Sequence, residues 1–124
     1  MRKSQAIRNF WSSFGLQAID AYTVPTGDDK PEFPYITYTV SESAIDEPVL
    51  LNASIWYRSE SWSDIEIKTK EIAERIKTMN PIKIDDGYIT IVGGSPFAQR
   101  MDDPSDDLIR RMILNVTVEY FTNY

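Results

Sequence analysis

The passage Val49-Leu50-Leu51-Asn52-Ala53-Ser54-Ile55-Trp56-Tyr57-Arg58, followed by Ser59-Glu60-Ser61-Trp62-Ser63-Asp64-Ile65-Glu66, decides the fold because the hydrophobic period changes inside it. From Val49 to Arg58 the side chains alternate. Val49, Leu51, Ala53, Ile55 and Tyr57 share one face, and Leu50, Asn52, Ser54, Trp56 and Arg58 share the other, which predicts a strand with one core face and one mixed face. From Ser63 onward the period is helical: Ile65, Thr69, Ile72, Ala73, Ile76 and Met79 form one stripe. Ser63 and Glu66 stand at the spacing of a reciprocal capping box, and Asn80-Pro81 supplies the stop. Glu66 with Lys70, and Glu71 with Arg75, are spaced as favourable i, i+4 ion pairs on the outer side.

Toward the N-terminus, Tyr35 to Val40 (Tyr-Ile-Thr-Tyr-Thr-Val) consists of residues that suit a pleated surface, and Pro34 blocks helix before it. It forms an antiparallel hairpin with the Val49 strand across the acidic turn from Ser43 to Pro48. The stretch from Pro25 to Pro34 holds Pro31, Gly27, Asp28, Asp29 and Glu32 and reads as a loop long enough to be mobile or functional. Leu16 to Val24 has room for a strand. Ahead of it, Ile7, Phe10, Trp11 and Phe14 fall at i, i+3, i+4, i+7 and predict a helix over Ser4 to Phe14, stopped by Gly15.

Toward the C-terminus, Ile82 to Ile84 and Tyr88 to Val92 flank Asp85-Asp86-Gly87, a hairpin signal. Gly93-Gly94-Ser95-Pro96 then breaks the pattern, and Phe97 to Asp107 reads as a polar excursion. The longest alternation runs from Ile109 to Phe121, with Met112, Leu114, Val116, Val118 and Tyr120 on one face, as a strand central in the sheet would show. The order predicts an α+β fold: a mostly antiparallel sheet of four to five strands with two main helices on one face. With 124 residues, the chain is expected to be a single domain, residues 1–124.

Composition narrows the function. Hydrophobic residues at 42% and charged residues at 26% give the balance of a folded globule rather than a disordered chain. No Cys is present, which removes disulfides and thiolate metal sites and suits folding in a reducing interior. No His is present either, which removes the commonest general base, the Ser-His-Asp and Cys-His arrangements, and imidazole ligation. No enzyme activity and no cofactor are expected. Apolar runs such as Ile89-Thr90-Ile91-Val92 are far below the ~20 residues of a membrane span, so a soluble protein with no membrane partner is expected. Met1-Arg2-Lys3 begins as a signal peptide does, but Gln5, Arg8 and Asn9 interrupt any apolar run, so no targeting segment is expected. A net charge of −6 disfavours binding to phosphate backbones. Cations gather at Arg2, Lys3 and Arg8, and acids at Asp28-Asp29, Glu42 to Glu47 and Asp102 to Asp107, as solvated loops or as complementary assembly contacts.

The candidate contact residues are aromatics beside arginine. Trp56, Arg58 and Trp62 cluster along the sequence at one strand end, where they serve either a protein interface or packing under the second helix. Phe97, Arg100 and Met101 are a second contact set, or else a loop anchored by Phe97. The carboxylates Asp102, Asp103, Asp106 and Asp107 offer oxygen ligands to Ca²⁺ but lack the spacing, central Gly and terminal Glu of an EF-hand, so a solvated loop is the simpler reading and no metal is expected. Gly93-Gly94-Ser95 follows a strand as phosphate-binding turns do, yet no GK[ST] or GxGxxG accompanies it, which leaves a turn or bulge.

The N-terminal helix, the Pro-acidic loop entering Phe33-Pro34-Tyr35-Ile36-Thr37-Tyr38, and Ala53-Ser54-Ile55-Trp56-Tyr57-Arg58-Ser59 running into Ser63 and a helix together resemble the tail terminator, or tail completion, proteins of long-tailed bacteriophages. That group also goes under head–tail joining or neck proteins. The resemblance covers most of the chain in order and length, and no single piece of it is a diagnostic signature. It implies a small α+β virion protein, present in the host cytoplasm during assembly, that forms a homo-hexameric ring on the last ring of the tail tube. Its implied partners are itself, the tail tube protein and a neck or head-completion protein, with DNA passing through without specific binding. Asp28, Asp29, Asp102, Asp103, Asp106 and Asp107 are then candidates to line the channel or meet the tube. Two other readings remain: an adaptor or stopper on the head side, and an acidic inhibitor or immunity-type module that binds a basic partner.

Overall fold

The alternation along Val49 to Arg58 becomes burial in the computed structural model, which describes residues 1–40 and 48–122. Leu51, Ala53 and Ile55 are buried while Leu50 is 67% exposed, so one face of this strand meets a core and the other does not. The elements in chain order are α1 (Lys3–Ser12), β1 (Gln17–Asp20), β2 (Tyr35–Tyr38), β3 (Val49–Arg58), α2 (Ser63–Thr78), β4 (Ile82–Ile84), β5 (Gly87–Met101) and β6 (Ile109–Thr122). A single 3-10 turn, Gly27–Asp29, lies in the Pro-rich loop. Both helices pack into the same core. Ala6, Ile7, Phe10 and Trp11 of α1 and Ile65, Ile72 and Ile76 of α2 join Ile36, Leu114, Val116 and Val118 of the sheet. Each large side chain buried there stabilises the fold by roughly 1.5–3 kcal/mol.

The fold is α+β with two helices, as expected, but the sheet is larger and mixed rather than four- to five-stranded and antiparallel. Six strands pair in the order β1-β2-β3-β6-β5-β4, and β1 runs parallel to β2, with Gln17 opposite Tyr35 and Asp20 opposite Tyr38. A parallel neighbour needs a connection of about a dozen residues or more. Residues 21–34, the Pro-rich loop included, supply it by carrying the chain from the Asp20 end back to the Gln17 end. The remaining pairings are antiparallel, and β6 sits between β3 and β5, central as its length suggested. Helix α1 touches both outermost strands, β1 and β4, so the sheet curls around it.

The second correction concerns β5. Gly93-Gly94-Ser95-Pro96 does not end the strand, and Phe97 to Met101 is not part of a polar excursion; the strand resumes after a bulge. Gly93 pairs with Val116 and Ala98 with Leu114, so four residues of β5 pass opposite Asn115 alone. Asn115 closes the bulge by donating its Nδ2 to the Pro96 carbonyl at 3.0 Å. Gly94 rests on the Asn115 backbone: a Cβ there would lie 3.0 Å from its carbonyl oxygen.

Helix α2 begins without the capping box. Its cap position is Trp62; the Ser61 hydroxyl accepts the Ser63 N–H at 3.0 Å, and Glu66 turns away to pair with Arg100. The i, i+4 pairs also give way. Lys68 bonds Glu71 at 3.2 Å and donates to the Phe14 carbonyl at 2.8 Å, while Arg75 lies 5.9 Å from the Phe14 ring centroid. Phe10, Trp11 and Phe14 form edge and tilted ring contacts, and Gly15, at φ 78°, takes the left-handed conformation that turns the chain toward β1. The acidic turn placed at Ser43 to Pro48, and the acids from Glu42 to Glu47, lie outside the described residues, apart from Pro48.

Candidate functional site

The face of the sheet away from the helices carries a row of aligned side chains. Tyr35 pairs with Trp56, Trp56 with Arg111, and Arg111 with Met101, so four strands each place one residue side by side on this face, which neither described helix covers. The Tyr35 and Trp56 rings stack with centroids 5.9 Å apart and planes 14° from parallel. The Arg111 guanidinium lies 4.6 Å from the Trp56 centroid, and Phe33 extends the row, 5.3 Å from Tyr35. The next row beneath fixes the first. Trp56 Nε1 donates to the Thr37 hydroxyl at 3.0 Å, and Arg111 Nε donates to the Ser54 hydroxyl at 3.1 Å. These bonds hold the indole and guanidinium planes in one orientation, which lowers the entropy lost when a partner packs on them. Ser54, the buried polar residue of the described core, thereby has its donor. Burial, then the nearby Asp103 carboxylate, raises the Tyr35 phenol above its ordinary value despite Arg111, so it stays neutral.

Trp62, next to Trp56 in the sequence reading, belongs to the opposite side. It packs against the core between two guanidiniums, Arg100 at 4.7 Å and Arg110 at 5.5 Å from its centroid. Arg100 also pairs with Glu66 at the start of α2. Arg110 donates to the carbonyls of Asp107 at 2.6 Å and Glu60 at 3.1 Å, tying the start of β6 to the β3–α2 connection. This cluster joins α2 to the sheet, and the packing alternative describes it. Tyr57, on the same side, faces the core, and burial followed by Asp64 and Glu71 raises its phenol.

The other candidates separate likewise. Phe97 is half-buried against the core and Gly93, so it anchors the bulge. Arg100 and Met101 are neighbours on one strand and so face opposite sides. Arg58 pairs with Asp106 at 2.9 Å.

Two acidic segments far apart in sequence meet at one end of the sheet. An open groove of about 960 Å³ runs between the Pro-rich loop and the β5–β6 turn, with Asp28, Phe33, Tyr35, Arg58 and Asp106 along its walls. Asp28 and Asp29 lie exposed in the 3-10 turn, and Asp102 and Asp107 are exposed across from them. Asp103 and Asp106 organise the turn: Asp103 accepts the Ser105 hydroxyl at 2.5 Å and its N–H at 2.8 Å, and Asp106 accepts the Leu108 N–H at 2.9 Å. Those hydrogen bonds hold both carboxyls below the ordinary aspartate range, Asp103 through Ser105 and Asp106 through Leu108 and then Arg58. Both are therefore fixed anions rather than proton donors.

Among the described residues, no group of three or more acidic side chains gathers closely enough to hold a metal ion. No helix among them is long and apolar enough to cross a membrane. The arrangement offers stacking, guanidinium and carboxylate surfaces, which is the chemistry of contact. Sequence reading named Trp56 but missed Tyr35, Arg111 and the bonds from Thr37 and Ser54. The signal existed in part, since Arg111 falls on the polar face of the Ile109 to Phe121 alternation; the strand register that sets it beside Trp56 is not encoded at any one position. No protein-family model matches the chain, and no curated protein matches it.

Proposed function

We propose that the chain is a structural subunit of virus assembly, a tail terminator that forms a ring on the end of a phage tail tube and joins the tail to the head. The observation that carries this reading is the locked Tyr35–Trp56–Arg111 row on a sheet face that neither described helix covers. Aromatics and arginine held in a fixed orientation are what the centres of protein interfaces use. The meeting of two acidic segments at one end of the sheet agrees with it: carboxylates facing a channel repel passing DNA and prevent tight phosphate contacts. In a hexameric ring each subunit presents two different surfaces to its neighbours, and the tube protein and neck protein take the two ends.

Electron microscopy of particles made without the protein tests the reading. Overlong, unjoined tails are expected. Filled heads that leak would instead place the subunit on the head side as an adaptor or stopper. Normal particles, with a strictly monomeric protein, would rule out both.

A further inference from the structure

At the end of the sheet nearest the acidic segments, five strands stand in full register, bounded on one side by the four residues of β1 and on the other by the last four of β5, Ala98–Met101. Each row runs from β1 to β5: Gln17-Tyr35-Trp56-Arg111-Met101, Ala18-Ile36-Ile55-Met112-Arg100, Ile19-Thr37-Ser54-Ile113-Gln99, and Asp20-Tyr38-Ala53-Leu114-Ala98. Strand β4 covers β5 only from Gly87 to Ile89, so among the described residues no strand flanks Ala98–Met101 on its outer side, nor Gln17–Asp20 on its own. No backbone bond to a described residue outside the sheet reaches either edge, apart from the Thr23 N–H to Asp20 carbonyl turn. Uncovered edges are templates for another strand.

The two edges are complementary. Strand β1 is parallel to β2, β2 antiparallel to β3, β3 to β6, and β6 to β5, so β1 and β5 run in opposite directions. A second copy can therefore continue the sheet with β1 antiparallel to β5 of its neighbour. Asp20 lies on the helix side of its edge, and Arg100, half exposed and also paired with Glu66 of its own subunit, on the same side of the other. The register that sets Asp20 opposite Arg100 also sets Ile19 opposite Met101 on the uncovered side. One ion pair and one apolar pair then meet across the joint, each on its proper face. The contact is heterologous, edge to different edge, and such contacts close into rings when the rotation per subunit permits.

Resting on the ring reading above, we infer that neighbouring copies of this chain join edge to edge, β1 of one beside β5 of the next, with Asp20 facing Arg100. The absence of cysteine gives a clean background for the test. A chain carrying both Ile19→Cys and Met101→Cys, treated at high concentration with a short bismaleimide, is expected to give a ladder of covalent multimers. Either single variant alone should give none, and a mixture of the two singles should stop at the dimer. Asp20→Arg, which sets like charges across the joint and leaves the internal Arg100–Glu66 pair intact, should weaken association by on the order of tenfold. Light scattering on the same samples separates the two levels. Multimers without the ladder, or association unmoved by Asp20→Arg, overturn the edge pairing and leave the ring standing. A monomer at every concentration removes the ring and the edge pairing together.

Discussion

Trp56 lies between Tyr35, stacked on one side at 5.9 Å, and the Arg111 guanidinium, 4.6 Å away on the other, and its Nε1 is spent on Thr37. Three weak interactions thus converge on one half-buried indole, each worth roughly 0.5–1.5 kcal/mol. Trp56→Ala should lower stability by about 2 kcal/mol in urea unfolding. Trp56→Phe retains the stack and loses the Thr37 bond, so it should recover at least half. If the row also serves as a contact surface, Trp56→Phe should fold and still join tails poorly, since Arg111 loses its wider platform. Full tail joining by Trp56→Ala would mean that the row only stabilises the subunit.

Gly94 and Gly93 are adjacent and make opposite predictions. A Cβ at Gly94 meets the Asn115 carbonyl oxygen at 3.0 Å and its carbonyl carbon at 3.2 Å, both backbone atoms of the central strand that cannot yield separately from the sheet. A Cβ at Gly93 meets nothing closer than the Phe97 ring at 3.4 Å. Gly94→Ala should therefore cost about 1–3 kcal/mol, as overpacking does, and Gly93→Ala should be near neutral. Denaturant midpoints of the two variants give the comparison; equal midpoints would show that the bulge relaxes freely.

The same bulge marks the limit of what the sequence discloses. Strand and helix periods predict burial well along Val49 to Arg58, Ile109 to Phe121 and the two helices, because a core face must be apolar whatever its partner. Gly93-Gly94-Ser95-Pro96 resembles a strand end since nothing local favours continued pairing. What restores the ladder is Asn115, distant in sequence, reaching the Pro96 carbonyl. Glu66 follows the same logic. Its spacing from Ser63 suits a cap, but Arg100, brought close by the continued β5, offers a cation, while Ser61 already serves the Ser63 N–H. The parallel placement of β1 was hidden for a related reason: a short polar-flanked segment can pair on either side of a sheet, and the Pro-rich loop decides its direction. Register likewise separates Trp56 from Trp62, which look like one cluster only in sequence.

Acid sensitivity should concentrate in the β5–β6 turn. Asp103 and Asp106 are held below the ordinary aspartate value of 3.8, so each is more acidic folded than unfolded. The unfolded chain then takes up protons first as pH falls, and the stability these carboxylates contribute is present above 3.8 and lost below it as the folded groups protonate. Asp106→Asn should flatten the acid limb of a stability-against-pH curve while lowering stability at neutral pH, because the Arg58 pair goes with it. An unchanged acid limb in Asp106→Asn and in Asp103→Asn would show that these hydrogen bonds contribute nothing to folding.

The structure also divides the acidic residues into those that build the turn and those that only present charge. Asp103 and Asp106 accept hydrogen bonds from Ser105, Leu108 and Arg58, whereas Asp28, Asp29, Asp102 and Asp107 are exposed. Replacing the latter four by Asn takes the net charge from −6 to −2 (−6 + 4) and leaves the bonded pair intact. Circular dichroism and the thermal midpoint should change little, since isolated surface charges rarely move stability by more than about 0.5 kcal/mol. If these carboxylates keep DNA from sticking as it passes, particles carrying the fourfold variant should eject DNA more slowly, and the defect should shrink as salt is raised and the Debye length falls. Ejection at the unaltered rate in low salt would remove the electrostatic role from this end of the subunit, leaving Asp103 and Asp106 as supports for the loop alone.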